Sequence, residues 1–139
     1  MTETFKYYNP HPDGKRVKDC VKRAICGATG KDYREVKIEL NRTKKITHCE
    51  KFNNNKNWKY YVEHNLKAIK LSFPAVAGCE RMNGQRFAET HPTGCYILRM
   101  AGHLSCCRDG VIYDTWDCRE KCVYNAYKVE PVGPIVTRL

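Results

Sequence analysis

The chain has 139 residues, 29% of them charged, and a formal net charge of +10 at pH 7. That length suits one domain with a core of useful size, and no apolar run approaches the roughly 20 residues of a membrane-spanning helix. The opening Met1-Thr2-Glu3-Thr4-Phe5-Lys6 has no apolar stretch of the kind a secretory signal needs, so the expected location is the cytoplasm, with no membrane partner.

In chain order, residues 1–18 read as an N-terminal loop segment, 19–66 as mainly helical and 67–139 as mainly β. Phe5-Lys6-Tyr7-Tyr8 is followed by Asn9-Pro10-His11-Pro12-Asp13-Gly14, which is turn chemistry throughout. Asp19 reads as an N-cap ahead of an apolar stripe at helical spacing: Cys20, Val21, Ala24, Ile25 and Ala28. Gly27 weakens this helix, and Thr29-Gly30-Lys31 ends it. Asp32 caps a second helix, with Glu35 at the capping-box position and Tyr33, Val36 and Leu40 turned inward, so the two helices form an αα-hairpin. Residues 41–57 are polar, contain Asn53-Asn54-Asn55 and read as a long loop. Trp58, Tyr61, Val62 and Leu66 mark a third helix, Ala68 to Phe73 a strand ended by Pro74, and Gln85 to Thr90 a short helix. Strands are then expected at Cys95 to Met100, on both sides of Asp109-Gly110, and near Val123 to Val129. Helices first and strands after predict an α+β fold, N-terminal helices packed on an antiparallel sheet.

Asp109-Gly110 is the strongest hairpin signal in the chain, because a two-residue type I′ turn needs positive φ at both central positions. A turn of that length pairs Arg108 with Val111, Cys107 with Ile112 and Ser105 with Asp114. His103 and Asp114 then share a face as diagonal neighbours about 7 Å apart at the backbone. An imidazole beside a carboxylate is the base and its orienting group in a nucleophilic triad. Asp117 competes with Asp114, but parity sends it to the opposite face. Trp116 and Ser105 are expected to wall the site. His11, His48, His64 and His91 have no partner in this pattern and read as surface residues.

Nine cysteines at irregular spacing, in a chain expected to stay in a reducing compartment, argue for free thiols and not a disulfide framework. Cys20 is the one placed at the first turn of a helix, where unpaired N–H groups and the helix dipole stabilise a thiolate. The same N–H groups suit an oxyanion. Cys107 shares the His103 face and is the rival, but it lacks the dipole. Structural zinc asks for two closely spaced ligand pairs; Cys118 and Cys122 make one and no second is clean, so no metal is expected.

Asp19-Cys20-Val21-Lys22-Arg23-Ala24, Ala28-Thr29-Gly30-Lys31-Asp32-Tyr33, Gly94-Cys95-Tyr96-Ile97-Leu98, Gly102-His103-Leu104 and Asp109 to Trp116 together resemble a group of small phage and bacterial proteins with a papain-like cysteine peptidase fold. The resemblance extends over about residues 9–129 and implies one papain-like domain over 1–139. It implies Cys20 as nucleophile, His103 as general base and Asp114 as orienting acid, with no cofactor. The glutamine that assists the oxyanion in papain-like enzymes lies several residues before the cysteine. No glutamine stands there in this chain, leaving Asn9, Asp13 or Asp19 as accessory candidates.

The basic residues fall in short groups, Lys15-Arg16, Lys22-Arg23, Lys44-Lys45, Lys51 to Lys59 and Lys67 to Lys70, between apolar positions of expected helices. That reads as a solvated surface before it reads as a nucleic-acid site. The expectation is therefore a cysteine-dependent hydrolase or acyltransferase acting on an amide of a protein or peptide, with nucleic acid a less favoured partner. The alternative is a phage-encoded binding or inhibitory protein that keeps the fold and docks a host protein or nucleic acid through its basic surface. The oligomeric state is left open.

Overall fold

In the computed structural model, which describes residues 3–135, Asp109 and Gly110 take φ of 51° and 79° and close the two-residue turn expected of them. The elements run β1 (Phe5–Tyr7), α1 (Cys20–Thr29), α2 (Tyr33–Thr47), α3 (Asn55–Tyr60), β2 (Ile69–Ser72), α4 (Gly84–Thr90), β3 (Cys95–Met100), β4 (His103–Arg108), β5 (Val111–Asp114) and β6 (Val123–Val129). The hairpin ladder pairs Arg108 with Val111, Cys107 with Ile112 and Cys106 with Tyr113. The parity that places His103 and Asp114 on one face therefore holds. The strands form one sheet in the order β1-β5-β4-β3-β6-β2.

Three features depart from the sequence expectation. The sheet is mixed and not wholly antiparallel, because β1 pairs in parallel with β5, Tyr7 opposite Asp114. Residues 1–18 are accordingly not all loop. A three-residue strand carries almost no periodicity, and only its partner, far along the chain, makes it a strand. The polar stretch after Leu40 is not loop as far as Thr47 either. Its buried face is built from Thr43 and Thr47, whose hydroxyls donate to the Glu39 and Thr43 carbonyls at 2.8 and 3.3 Å. Thr47 also donates to Asn57 Oδ1 at 2.8 Å, and Asn57 Nδ2 returns hydrogen bonds to the carbonyls of Leu40 and Phe52. Satisfied polar groups thus carry a helix face that an apolar pattern misses. Finally, α3 runs on into a π-helical turn over Tyr61–Asn65.

Apolar clusters cover both faces of the sheet. Val21, Ile25, Val36, Leu40, Trp58 and Tyr61 from the N-terminal helices pack with Ile97, Leu104, Cys106 and Tyr127. On the other face Phe87 and Ala88 of α4 pack with Tyr96, Leu98, Cys107 and Ile112. No helix among the described residues is long and apolar enough to cross a membrane.

The fit of α1 on β4 depends on Gly27. A methyl there would run into the Cys106 sulfur, with Tyr8 also close. The helix-weakening glycine is thus a packing requirement. Gly27→Ala should lower the urea midpoint by an amount equivalent to about 1–3 kcal/mol, in the range of core overpacking, despite the better helix propensity of alanine. Adding Cys106→Ala should recover part of the loss.

Candidate active site

Cys20 is the first residue of α1, where its backbone N–H has no acceptor within the helix. Asp19 occupies the N-cap position, yet its side chain caps nothing. The carboxylate instead accepts from the Arg23 guanidinium and, at 2.7 Å, from the Tyr33 hydroxyl. The helix start beside Cys20 thus keeps its positive end uncovered by a capping oxygen.

β4 delivers His103 and β5 delivers Asp114. His103 Nε2 lies 2.7 Å from Asp114 Oδ2, and the imidazole lines the same cavity wall as Cys20, close enough to lower the pKa of its thiol. With Nε2 committed to the carboxylate, Nδ1 is the nitrogen left for the thiol. Burial alone would lower the basicity of His103, but hydrogen bonds to Asp114, Cys118 and Cys20, with the charge of Asp114, raise its pKa to about 11. Burial would raise the pKa of Cys20; hydrogen bonds from His103 and the Leu104 backbone, helped by the charges of His103 and Arg23, lower it on balance. For Asp114, too, the partners outweigh burial and hold the carboxyl below its usual range. Each shift favours a thiolate, an imidazolium and a carboxylate in line.

The carboxylate of Asp114 is fully subscribed. Oδ2 also accepts from Ser105 Oγ at 2.7 Å and Cys118 Sγ at 3.5 Å, while Oδ1 accepts from the Thr115 N–H at 2.7 Å and Arg23 Nη2 at 3.3 Å. Ser105 is therefore a support behind Asp114 and not a wall of the cavity. Trp116 is 41% exposed and stands with its ring 4.9 Å from that of His103, at the cavity edge.

Two participants escaped sequence reasoning. Arg23, grouped with Lys22 as a surface cation, is 7% exposed and bridges Asp19 to Asp114; Lys22 is buried as well. The Asp19–Arg23 spacing of four was a usable signal for a helical ion pair, but nothing in it announced burial. Cys118 is buried behind the imidazole, touching both Ser105 and Asp114. Its position four residues after Asp114 falls in an irregular segment, where spacing predicts no neighbour.

A cavity of about 650 Å³ opens over Cys20, within the size range of small-ligand sites. Arg16, Lys18, Asn53, His103 and Trp116 line it. Asn9 and Asp13 do not. Asn9 folds its own loop, donating to the carbonyls of Gly14 and Lys15 and accepting from the His11 N–H, while Asp13 is exposed. Asp19 borders the cavity, but its oxygens are held by Arg23 and Tyr33. None of the three accessory candidates is thus free to meet an oxyanion; Asn53, from the segment between α2 and α3, is the uncharged amide side chain in the cavity wall.

The rivals are placed elsewhere. Cys107 packs with Phe87 and Ile112, and burial pushes its thiol up to about 12. Asp117 pairs with Arg119 at 2.7 Å near the surface. His48 and His64 are exposed, whereas His11 and His91 are half-buried, the latter stacked on Phe87 at 3.9 Å. His103, Asp114 and Cys118 bring one potential ligand atom each within 4.8 Å of one another, the group here with metal-site spacing among the described residues. The Arg23 guanidinium on the same carboxylate makes that a poor cation site, and the donors already present account for the geometry. Comparisons with protein-family models, curated proteins and solved structures found no match to this chain.

Removing Arg23 would leave Asp19 and Asp114 buried without their shared cation. Arg23→Met should cost about 3–5 kcal/mol in urea unfolding at pH 7, and Arg23→Met with Asp19→Asn less than either penalty summed. The pH dependence has a defined sign. A raised His103 pKa stabilises the fold fully below about pH 6.5 and is lost as pH climbs toward 11; the lowered Asp114 pKa stabilises above about pH 4 and is lost below it. The stability gap between wild type and His103→Gln should therefore be widest between about pH 4 and 6.5 and narrow steadily in more alkaline urea titrations.

Proposed function

We propose that the protein is a cysteine-dependent amide hydrolase of papain-like arrangement, acting on a protein or peptide. One observation carries this reading: His103 stands beside Cys20 in one cavity wall at the uncapped start of α1, while Asp114 holds Nε2 of its ring at 2.7 Å. The order Cys, His, Asp along the chain, with the cysteine on a helix and the other two on adjacent strands, matches the resemblance noted in the sequence.

In the proposed reaction the Cys20 thiolate adds to the amide carbonyl carbon. The oxygen takes up negative charge close to the Cys20 N–H and the Asn53 amide, where donors aimed at the developing charge lower the barrier. His103 then gives its proton to the amide nitrogen as the C–N bond breaks, leaving a thioester on Cys20 and a free amine. Water attacks the thioester while His103 takes its proton; the carboxylic acid departs, and thiolate and imidazolium are restored. Asp114 keeps the imidazole in one tautomer and stabilises its charged form throughout. An amine in place of water would give acyl transfer by the same steps. The nine free thiols suit a reducing compartment, which for a phage-encoded chain is the host cytoplasm.

The competing reading is a non-catalytic phage-encoded binder that retains the fold. It draws on the displacement of Asn9 and Asp13 from the cavity, which leaves no counterpart of the papain-like glutamine before Cys20.

Iodoacetamide labelling, resolved by residue and pH, separates them. Each unit by which a thiol pKa falls raises its thiolate fraction about tenfold at pH below both values. Cys20 should label at pH 6 faster than a free thiol, and His103→Ala should abolish that excess. A Cys20 that labels as an ordinary thiol, indifferent to His103, defeats the hydrolase reading in favour of the binder.

A further inference from the structure

The cavity over Cys20 is one half of a longer groove. A smaller cavity of about 230 Å³ continues on the far side of the thiol and shares Cys20, Asn53, Gly102 and His103 with the first. Each half carries its own cations. Arg16 and Lys18 flank the first, both exposed, and neither forms an ion pair among the described residues. Arg16 Nη2 donates to the Thr115 carbonyl at 3.2 Å, which steers the guanidinium without neutralising it. The acidic residue of that wall, Asp19, is already matched by Arg23. Arg99 flanks the second half, tethered to the neutral Asn125 at 3.3 Å. Its charge reaches Lys59, which burial first, then Arg99 and Lys70, make less basic than an ordinary lysine against the opposing charge of Glu63. Cations that form no ion pair among the described residues thus stand on both sides of the nucleophile, with the exposed Trp116 ring beside one of them.

Resting on the hydrolase reading above, we infer that the groove takes an extended, acidic polypeptide, with carboxylate side chains on both sides of the amide presented to Cys20. Cations on both flanks steer such a chain into register and reject basic ones. A nucleic acid carries the right charge but has no acyl carbon for a thiolate to attack, so the thiol at the centre of the groove favours the polypeptide.

Two reagents of equal reactivity test this: bromoacetyl-Glu-Glu-amide and bromoacetyl-Gln-Gln-amide. In each, Cys20 Sγ forms a thioether to the acetyl carbon and bromide leaves. The Glu reagent should label Cys20 several-fold faster at low salt, and the advantage should shrink as added salt screens the groove. The ratio of the two rates should fall toward one in Arg16→Gln with Lys18→Gln. Lys37→Gln, which removes an exposed charge on α2 away from the groove, should keep the wild-type ratio. Polyglutamate should slow labelling by the Gln reagent more than an oligonucleotide of equal charge does. Equal rates for two reagents that both label fast overturn the acidic groove and leave the thiolate intact. A preference that survives loss of Arg16 and Lys18, or stronger protection by the oligonucleotide, also overturns it, the latter in favour of nucleic acid. Slow labelling by both overturns the hydrolase reading and this inference with it.

Discussion

A buried arginine joins the two halves of this protein. Arg23, one turn into α1, holds Asp19 at the head of its own helix and Asp114 at the end of β5. Two carboxylates and one guanidinium out of water need partners, and Tyr33, Ser105, Thr115 and His103 satisfy the carboxylates, while Arg23 Nε is left buried without one. The same contact sets the position of helix against sheet, and with it Cys20 against His103. Charge pairing, packing and reactivity therefore share one set of atoms. A thiol at a helix start is ordinary; one fixed relative to an imidazole by a buried ion pair is placed for chemistry.

The acidity of the cysteines divides along the same line. Burial pushes the thiols of Cys26 and Cys107 up to about 12, and those of Cys95 and Cys106 upward as well. Cys20 is displaced the other way although it too is partly buried, because it alone of these has an imidazole and a strand N–H directed at it. The many cysteines are thus mostly small apolar core residues, and the downward shift falls on Cys20.

How much of this was legible from the residues varies with the range of the interaction responsible. Asp109-Gly110 dictates its own backbone, so strand register and the proximity of His103 to Asp114 followed from local rules. The α1 start at Cys20 followed in the same way. β1 was illegible because its parallel partner lies at the other end of the chain. The second half of α2 was misread because its inward face is threonine, satisfied by Asn57. Arg23 and Lys22 were misplaced for a related reason: a long cation looks like surface until its buried partners are known. Asn9 and Asp13 were proposed by analogy with a motif position, and their loop spends its polar groups on itself. Local signals brought Cys20, His103 and Asp114 into view; the partners that hold them were visible only in three dimensions.

The pairing of β1 with β5 has a consequence for when the site comes into being. The Tyr8 N–H donates to the Asp114 carbonyl at 2.8 Å and Ile112 N–H to that of Thr4, so the strand bearing the acid is clamped along its outer edge by the beginning of the chain. Such a closure joins segments more than a hundred residues apart, at the loop-entropy cost of a contact long in sequence. Cys20 lies on the first helix, whereas the imidazole and carboxylate beside it come from strands far along the sequence. A chain cut before β4 would keep the thiol and lack the His103–Asp114 pair. The setting that lowers the Cys20 pKa therefore exists only once this long-range pairing is made.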